Sequence, residues 1–238
     1  MNARTIAPGG TLRAAINLGN PVLAGRDATG APSGITVDIA RELARRLSLP
    51  LKLVPFEQAG RVTDAADKDL WDVAFLAIDP KRAEQIAYTA PYVLIEGAYA
   101  VPANSPIQSV ADVDREGVRI AVIEKSAYDL YLSRTLKHAT PASAATAAEA
   151  FAKFLAERLE VVAGVRQPLV RWVAAHPDMR LIPGRFMAIE QAMGVPRAHA
   201  AAIGDLKAFV EDLKASGFIA GALARHDQPD AQVAPASP

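Results

Sequence analysis

The chain has 238 residues, 51% hydrophobic and 22% charged, with Lys+Arg and Asp+Glu both at 26. That composition is ordinary for a globular protein with a sizeable core, and a formal net charge of zero points to neither nucleic acid nor an anionic membrane surface. The absence of cysteine excludes disulfides, thiol catalysis and cysteine-ligated zinc, and no apolar run approaches the length of a membrane span.

The opening residues, MNARTIAPGGTLR, have no apolar core and no small-residue cleavage site, so they are not a signal peptide. Either an initiator Met replaces a signal, or the natural protein lacks one. Residues 12–16 read as a strand, and NLGNP at 17–21 as the loop at its carboxyl end. Val37, Ala40, Leu43, Ala44 and Leu47 fall at helical spacing and turn Arg41, Arg45 and Arg46 outward. A strand is expected over 51–56 and a short helix over 61–66. The apolar run 73–78 is long enough for a buried strand and too short for a helix. Asp79 is a favoured N-cap and Pro80 a favoured first helical residue, so a helix is expected to start where the strand runs out. Such a junction presents unpaired N–H groups to an anion. Arg82 stands in the first turn, where a cation opposes the helix dipole. It is either used on a ligand, paired with Glu84 or Asp79, or solvated.

Further strands are expected over 97–101, 118–123, 161–164 and 188–193. Ser126 and Asp129 make a capping-box-like pair opening a helix from Ala127 to about residue 137. The Ala-rich 142–157 reads as a helix, as do 168–175 and the segment carrying Leu206, Phe209, Val210 and Leu213. Gln228 to the end is rich in Pro and Ala, and disorder is expected there. Strands alternating with helices argue for parallel sheets flanked by helices, and the pattern runs twice, before and after about residue 101. The expected fold is therefore α/β and two-lobed.

The stretch WDVAFLAIDPKRAEQIAYTAP, residues 71–91, resembles the signature of the family 3 extracellular solute-binding proteins. These are the amino-acid type of periplasmic binding protein that serves ABC importers. The similarity runs from about residue 10 to about residue 226. The resemblance implies a type II periplasmic-binding-protein fold, with 1–98 plus 193–238 as lobe 1 and 103–187 as lobe 2. Strands 97–102 and 188–192 are then the hinges, and 227–238 a disordered tail. Ligands of open α/β sheets bind outside the carboxyl ends of the strands. The loops 17–21, 75–82, 124–127 and 164–167 are accordingly expected to face one cleft.

In the family an arginine binds the ligand α-carboxylate, and the matching residue is Arg82. Ser126, with Lys125 and Ala127, opens a helix that the resemblance places on the same carboxylate; on spacing alone Ser126 is an N-cap. Asn17 and Asn20 stand near positions where relatives carry an acid and an aromatic, although Asn is also ordinary turn chemistry. Phe75 and Ala77 share one strand face, and the resemblance turns that face to the pocket. Val165 and Arg166 stand where relatives place the aspartate that pairs with the ligand ammonium; this chain has no acid there. Arg166 is either a surface arginine leading a helix or a second anion contact, and Glu124 and Glu190 are the acids considered near the cleft. A ligand without net positive charge is the expectation. His138, His176, His199 and His226 show no metal-ligand spacing, so no metal site, cofactor or catalytic residue is expected.

The resemblance implies a binding protein for a small carboxylate-bearing solute, monomeric, with an ABC permease as partner and the periplasm as compartment. Without a signal peptide in these residues, a cytoplasmic location stays open. A cyclohexadienyl dehydratase-like lyase on the same fold is the enzyme alternative, disfavoured by the lack of an acid at Val165 and Arg166. A ligand-sensing module is the third.

Overall fold

The computed structural model describes residues 1–237. In chain order the elements are helix α1 (Ala3–Ile6), strands β1 (Leu12–Asn17), β2 (Gly25–Arg26) and β3 (Pro32–Ser33), helix α2 (Ile35–Leu47), β4 (Leu51–Phe56), α3 (Ala59–Thr63), β5 (Val73–Ala77) and the long β6 (Ile86–Pro102). Then come β7 (Arg119–Ile123), α4 (Ala127–Thr135), β8 (Thr140–Ala144), α5 (Ala147–Ala156), β9 (Val161–Val165), α6 (Arg166–Ala174), β10 (Met179–Leu181) and β11 (Met187–Pro196). The chain closes with α7 (Ile203–Ala215), α8 (Phe218–Arg225) and β12 (Gln232–Val233). It divides into two compact units, Met1–Leu94 with Glu190–Pro238, and Ile95–Ile189. The path passes from one to the other within β6 and returns within β11.

In the first unit β1 lies between β4 and β5, parallel to both, and β11 pairs antiparallel with β5. Parallel strands are buried on both faces and so read as unbroken apolar runs. VAFLA of β5 is buried at every position. Helix α2 covers the sheet with Ile35, Val37, Ile39, Ala40, Leu43 and Leu47, all buried. Its Arg41, Arg45 and Arg46 are exposed as expected, and Arg46 also pairs with Glu42 and Asp212 and lies over the Phe209 ring. A separate cluster gathers Trp71, Val62, Ala15, Leu76 and Ile86, and the Trp71 indole N–H donates to the Val62 carbonyl at 3.2 Å.

In the second unit β7 lies between β8 and β9, parallel to both, while β9 pairs antiparallel with β6 and β10 with the end of β6. The period-two alternation of the strands sorts their side chains into two cores. Ile120, Val122, Val161 and Ala163 join Tyr99 and Tyr128 in one, and Ala121 and Val162 join Phe154 and Leu169 in the other.

Four sequence expectations change. The Ala-rich start of 142–157 is not helical: TPASA pairs in register with β7 as β8, and α5 starts only after Thr146, whose side chain caps it. Pairing with a buried neighbour overrides helix propensity there. The strand expected at 97–101 is the last part of β6, which runs through Pro91. The helix expected after Asp79–Pro80 shrinks to one 3-10 turn, Arg82–Glu84. Residues 228–237 are ordered rather than loose: Gln232 and Val233 pair with Leu94 and Val93, the Ala234 N–H donates to the Tyr92 carbonyl, and Lys214 Nζ donates to the Pro235 carbonyl at 2.8 Å. Pro238, the last residue of the expected tail, lies outside the described residues.

Candidate functional site

In the first unit the carboxyl ends of β1 and β5 carry five of the expected residues. Asn17 ends β1, and its side-chain oxygen accepts the Gly19 N–H at 3.1 Å. Gly19 is required: a Cβ there would stand 2.7 Å from the Glu57 carbonyl oxygen. Asn20 is buried and turns the chain, its side chain accepting from the Val22 N–H and its carbonyl from the Leu23 and Ala24 N–H groups. Both asparagines thus do the turn chemistry their type favours. Phe75 is fully buried, with its ring edge-on to Tyr92 at 6.2 Å, a core environment rather than a pocket wall. Ala77 is buried, and its carbonyl accepts from Arg82 Nη1 at 3.1 Å.

Arg82 is only 2% exposed, which excludes the solvated alternative. Glu84 pairs with Lys81. Asp79, itself buried, holds the turn: its Oδ1 accepts the Lys81 and Arg82 N–H groups at 2.8 and 3.4 Å, and its carbonyl accepts from Ala83. Burial pushes the Arg82 pKa below its ordinary value, while Tyr88 and Asp79 push it back. Burial likewise raises the Tyr88 phenol, against the opposing field of Arg82, and the Tyr88 hydroxyl has no hydrogen-bond partner among the described residues. The result is a desolvated cation at a strand end, aimed from a turn built by an Asx cap. A three-residue 3-10 turn supplies no helix dipole of consequence, so the local positive charge is that of Arg82 itself.

In the second unit Ser126 is the N-cap of α4, its hydroxyl accepting the Asp129 N–H at 3.1 Å. The Asp129 carboxylate accepts from the Lys125 N–H at 2.7 Å, one residue earlier than a regular capping box would place it. Burial raises the Asp129 carboxyl above its usual range; the Lys125 N–H opposes that and Glu124 adds to it. Lys125 is exposed and adopts φ 54°, a left-handed backbone uncommon for a non-glycine residue. Ala127, partly buried, is the first residue of α4. Glu124 and Glu190 are exposed.

Val165 ends β9 and is the N-cap of α6, and Arg166 is the first residue of that helix. Arg166 is held by the fold: its Nε donates to Glu96 Oε2 at 2.6 Å and its Nη2 to the Gly184 carbonyl. Arg185 reaches the other oxygen of Glu96 at 3.2 Å. Glu96 was missed in the sequence. It lies one residue before Gly97, which pairs with Val165, so the neighbouring strand carries the acid that the β9 end lacks. An acid inside the apolar run YVLIEGAYA was its signal. Gln191 was also missed, and Gln167 stood only as the end of the expected loop 164–167; both are buried, Gln191 opposite Ala77 in the β5–β11 ladder and Gln167 as the second residue of α6.

Two α/β units joined by two crossings, with candidate anion contacts at strand ends, define a binding protein of the two-lobed periplasmic type. The chain belongs to the bacterial extracellular solute-binding proteins, family 3, whose family model matches residues 12–226. Solved structures share the fold. The solute receptor for L-cysteine of Neisseria gonorrhoeae is 21% identical, with 96% of this chain and 94% of that one covered and a TM-score of 0.80. Arginine-bound ArgBP from T. maritima is 20% identical, with coverages of 89% and 100% and a TM-score of 0.73. The ancestral amino acid-binding protein AncCDT-1, a precursor of cyclohexadienyl dehydratase, is 18% identical, with coverages of 94% and 97% and a TM-score of 0.76. No curated protein matches the sequence significantly. Among the described residues no helix is long and apolar enough to cross a membrane.

Proposed function

We propose that this solute-binding protein captures an amino acid or related organic acid for ABC-type uptake, with Arg82 as the anchor of the ligand carboxylate. The observation that carries this is the placement of a buried arginine at the carboxyl end of β5, where open α/β sheets take their ligands, inside the segment that bears the family signature. A planar guanidinium matches a carboxylate with two parallel hydrogen bonds. Desolvation strengthens that pairing relative to water. The solved relatives named above receive L-cysteine or are bound to arginine, which makes amino acids the starting set of solutes.

Charge then narrows the set. Val165 offers no acid for an ammonium, and Glu96 is shared between Arg166 and Arg185. A ligand with no net positive charge is favoured, and basic amino acids fit worst. Closure of the two lobes about 97–102 and 188–192 traps the solute, and a permease reads the closed state. The protein acts as a monomer outside the cytoplasm. A lyase would need a free acid at the β9 end, and the two arginines on Glu96 argue against that role.

A thermal-shift panel of amino acids, keto acids and dicarboxylates tests this. Stabilisation by neutral or anionic compounds is expected. A strong shift with lysine, arginine or histidine, and none with anionic compounds, contradicts it.

A further inference from the structure

Strand β11 re-enters the first unit at Glu190, and the next residue, Gln191, is 4% exposed. The register sets Gln191 opposite Ala77, the last residue of β5, and Met193 opposite Phe75. The Ile78 N–H donates to the Glu190 carbonyl at 2.8 Å, so 78 and 190 form a hydrogen-bonded pair, and Ala77 and Gln191 the non-hydrogen-bonded pair beside it. Opposed side chains share a sheet face, and in such a pair they approach most closely, with Cβ atoms about 4.5–5.5 Å apart. Gln191 therefore continues the Phe75–Met193 face to the carboxyl end of β5, where the Ala77 carbonyl holds Arg82 Nη1 at 3.1 Å. No hydrogen bond among the described residues uses the Gln191 amide, and that amide is not sealed from solvent as the unpartnered Tyr88 and Tyr92 hydroxyls are. A largely buried side chain thus keeps one acceptor oxygen and one NH2 donor unspent at the strand end that bears Arg82. Folded proteins rarely retain such groups without a use for them.

We infer that Gln191 is a specificity-determining contact for the solute, and that the solute carries, besides its carboxylate, a neutral group that both donates and accepts hydrogen bonds: a carboxamide or a hydroxyl. This rests on the reading that Arg82 holds the solute carboxylate, and it draws on the first unit alone. A carboxamide returns both bonds of the Gln191 amide, its N–H donating to Oε1 and its oxygen accepting from Nε2; a hydroxyl does the same through one atom. An apolar group would strand both the donor and the acceptor, and a site built to hydrogen-bond its substrate discriminates against the analogue that lacks the polar group. A second carboxylate would leave water beside a group that offers it no counter-charge.

The test uses the full chain, freed of co-purifying solute, and sets of carboxylates matched in shape: asparagine, aspartate and leucine; threonine and valine; succinamate, succinate and 4-methylpentanoate. Calorimetry is run on the wild type, Gln191→Leu and Gln191→Glu. In the set that binds, the wild type should favour the neutral polar member over its apolar and anionic partners by about tenfold or more, the scale of one buried hydrogen bond. Gln191→Leu should bring the polar and apolar members within a few-fold of each other while the apolar member still binds, since Arg82 is untouched. Gln191→Glu keeps an acceptor of the same shape and adds a negative charge. It should bind the anionic member more weakly still while retaining part of the preference for the polar over the apolar one, and it carries the test if the leucine variant folds poorly. An unchanged preference in both variants overturns the role of Gln191 and leaves Arg82 as the anchor. Preference of the wild type for apolar or anionic members overturns the ligand class alone. If no carboxylate in any set binds the wild type, both this inference and the proposed function fail.

Discussion

Arg82 and Arg166 both follow strand ends, and their surroundings differ. Arg82 is 2% exposed at the end of β5, set in a turn capped by Asp79 and bonded to the Ala77 carbonyl. Arg166, whose side chain is 26% exposed at the end of β9, is clamped by Glu96 and by the Gly184 carbonyl. In the sequence Arg82 is offered as the carboxylate contact, and Arg166 as either a surface arginine or a second anion contact. Burial separates them. Burial makes Arg82 the costlier cation to hold in the fold, whereas a partly exposed arginine in an ion pair contributes little.

The largest effect expected from this contrast lies in Arg82→Met. Removing one partner of a buried charge pair costs roughly 2–5 kcal/mol in affinity. Calorimetry with the solute found by the thermal-shift panel should show that loss, while Arg166→Met should leave affinity within a few-fold of wild type. Equal losses in both variants would erase the distinction. A smaller effect is expected of Ser126→Ala. The lost N-cap should cost about 1 kcal/mol of stability in chemical denaturation, and a further drop in affinity would add a ligand role to the cap. An unchanged midpoint would show that Asp129 and the Lys125 N–H hold the turn without the hydroxyl.

The smallest effect belongs to Glu96→Gln. Its carboxylate side chain is about one-third exposed, at 34%, and its pairs with Arg166 and Arg185 are screened by solvent. Exposed pairs contribute about 0.2–1 kcal/mol, so a slight loss of stability is expected, and less of it at high salt. A loss of several-fold in solute affinity from Glu96→Gln would move the second unit's cluster from structure into the site.

The layout of strands and helices was largely legible, because parallel strands buried on both faces read as apolar runs such as VAFLA, and α2 shows its stripe at helical spacing. Local signals failed where a distant partner decided the outcome. TPASA is a strand because β7 lies beside it, and the tail is ordered because β6 offers its edge at Val93 and Leu94. The Asp79–Pro80 pair promised a helix and produced one turn, since the chain must re-enter the sheet at Ile86. For the site, the placement of Arg82 at a strand end could be read from the run, the cap and the family signature. Its burial could not, nor could the pairing of Arg166, since Glu96 is 70 residues away in the chain and meets it only through the β6–β9 ladder. Gln167 was expected at the end of the loop 164–167, but neither its burial nor its place inside α6 could be read there.

The central claim is that a carboxylate-bearing solute is held at Arg82. Mass spectrometry of the small molecules released on denaturing the purified protein tests it most directly, with wild type and Arg82→Met prepared side by side. The wild type should release a carboxylate-bearing solute that is strongly depleted in Arg82→Met. Release of the same solute at equal occupancy from both proteins would contradict the account.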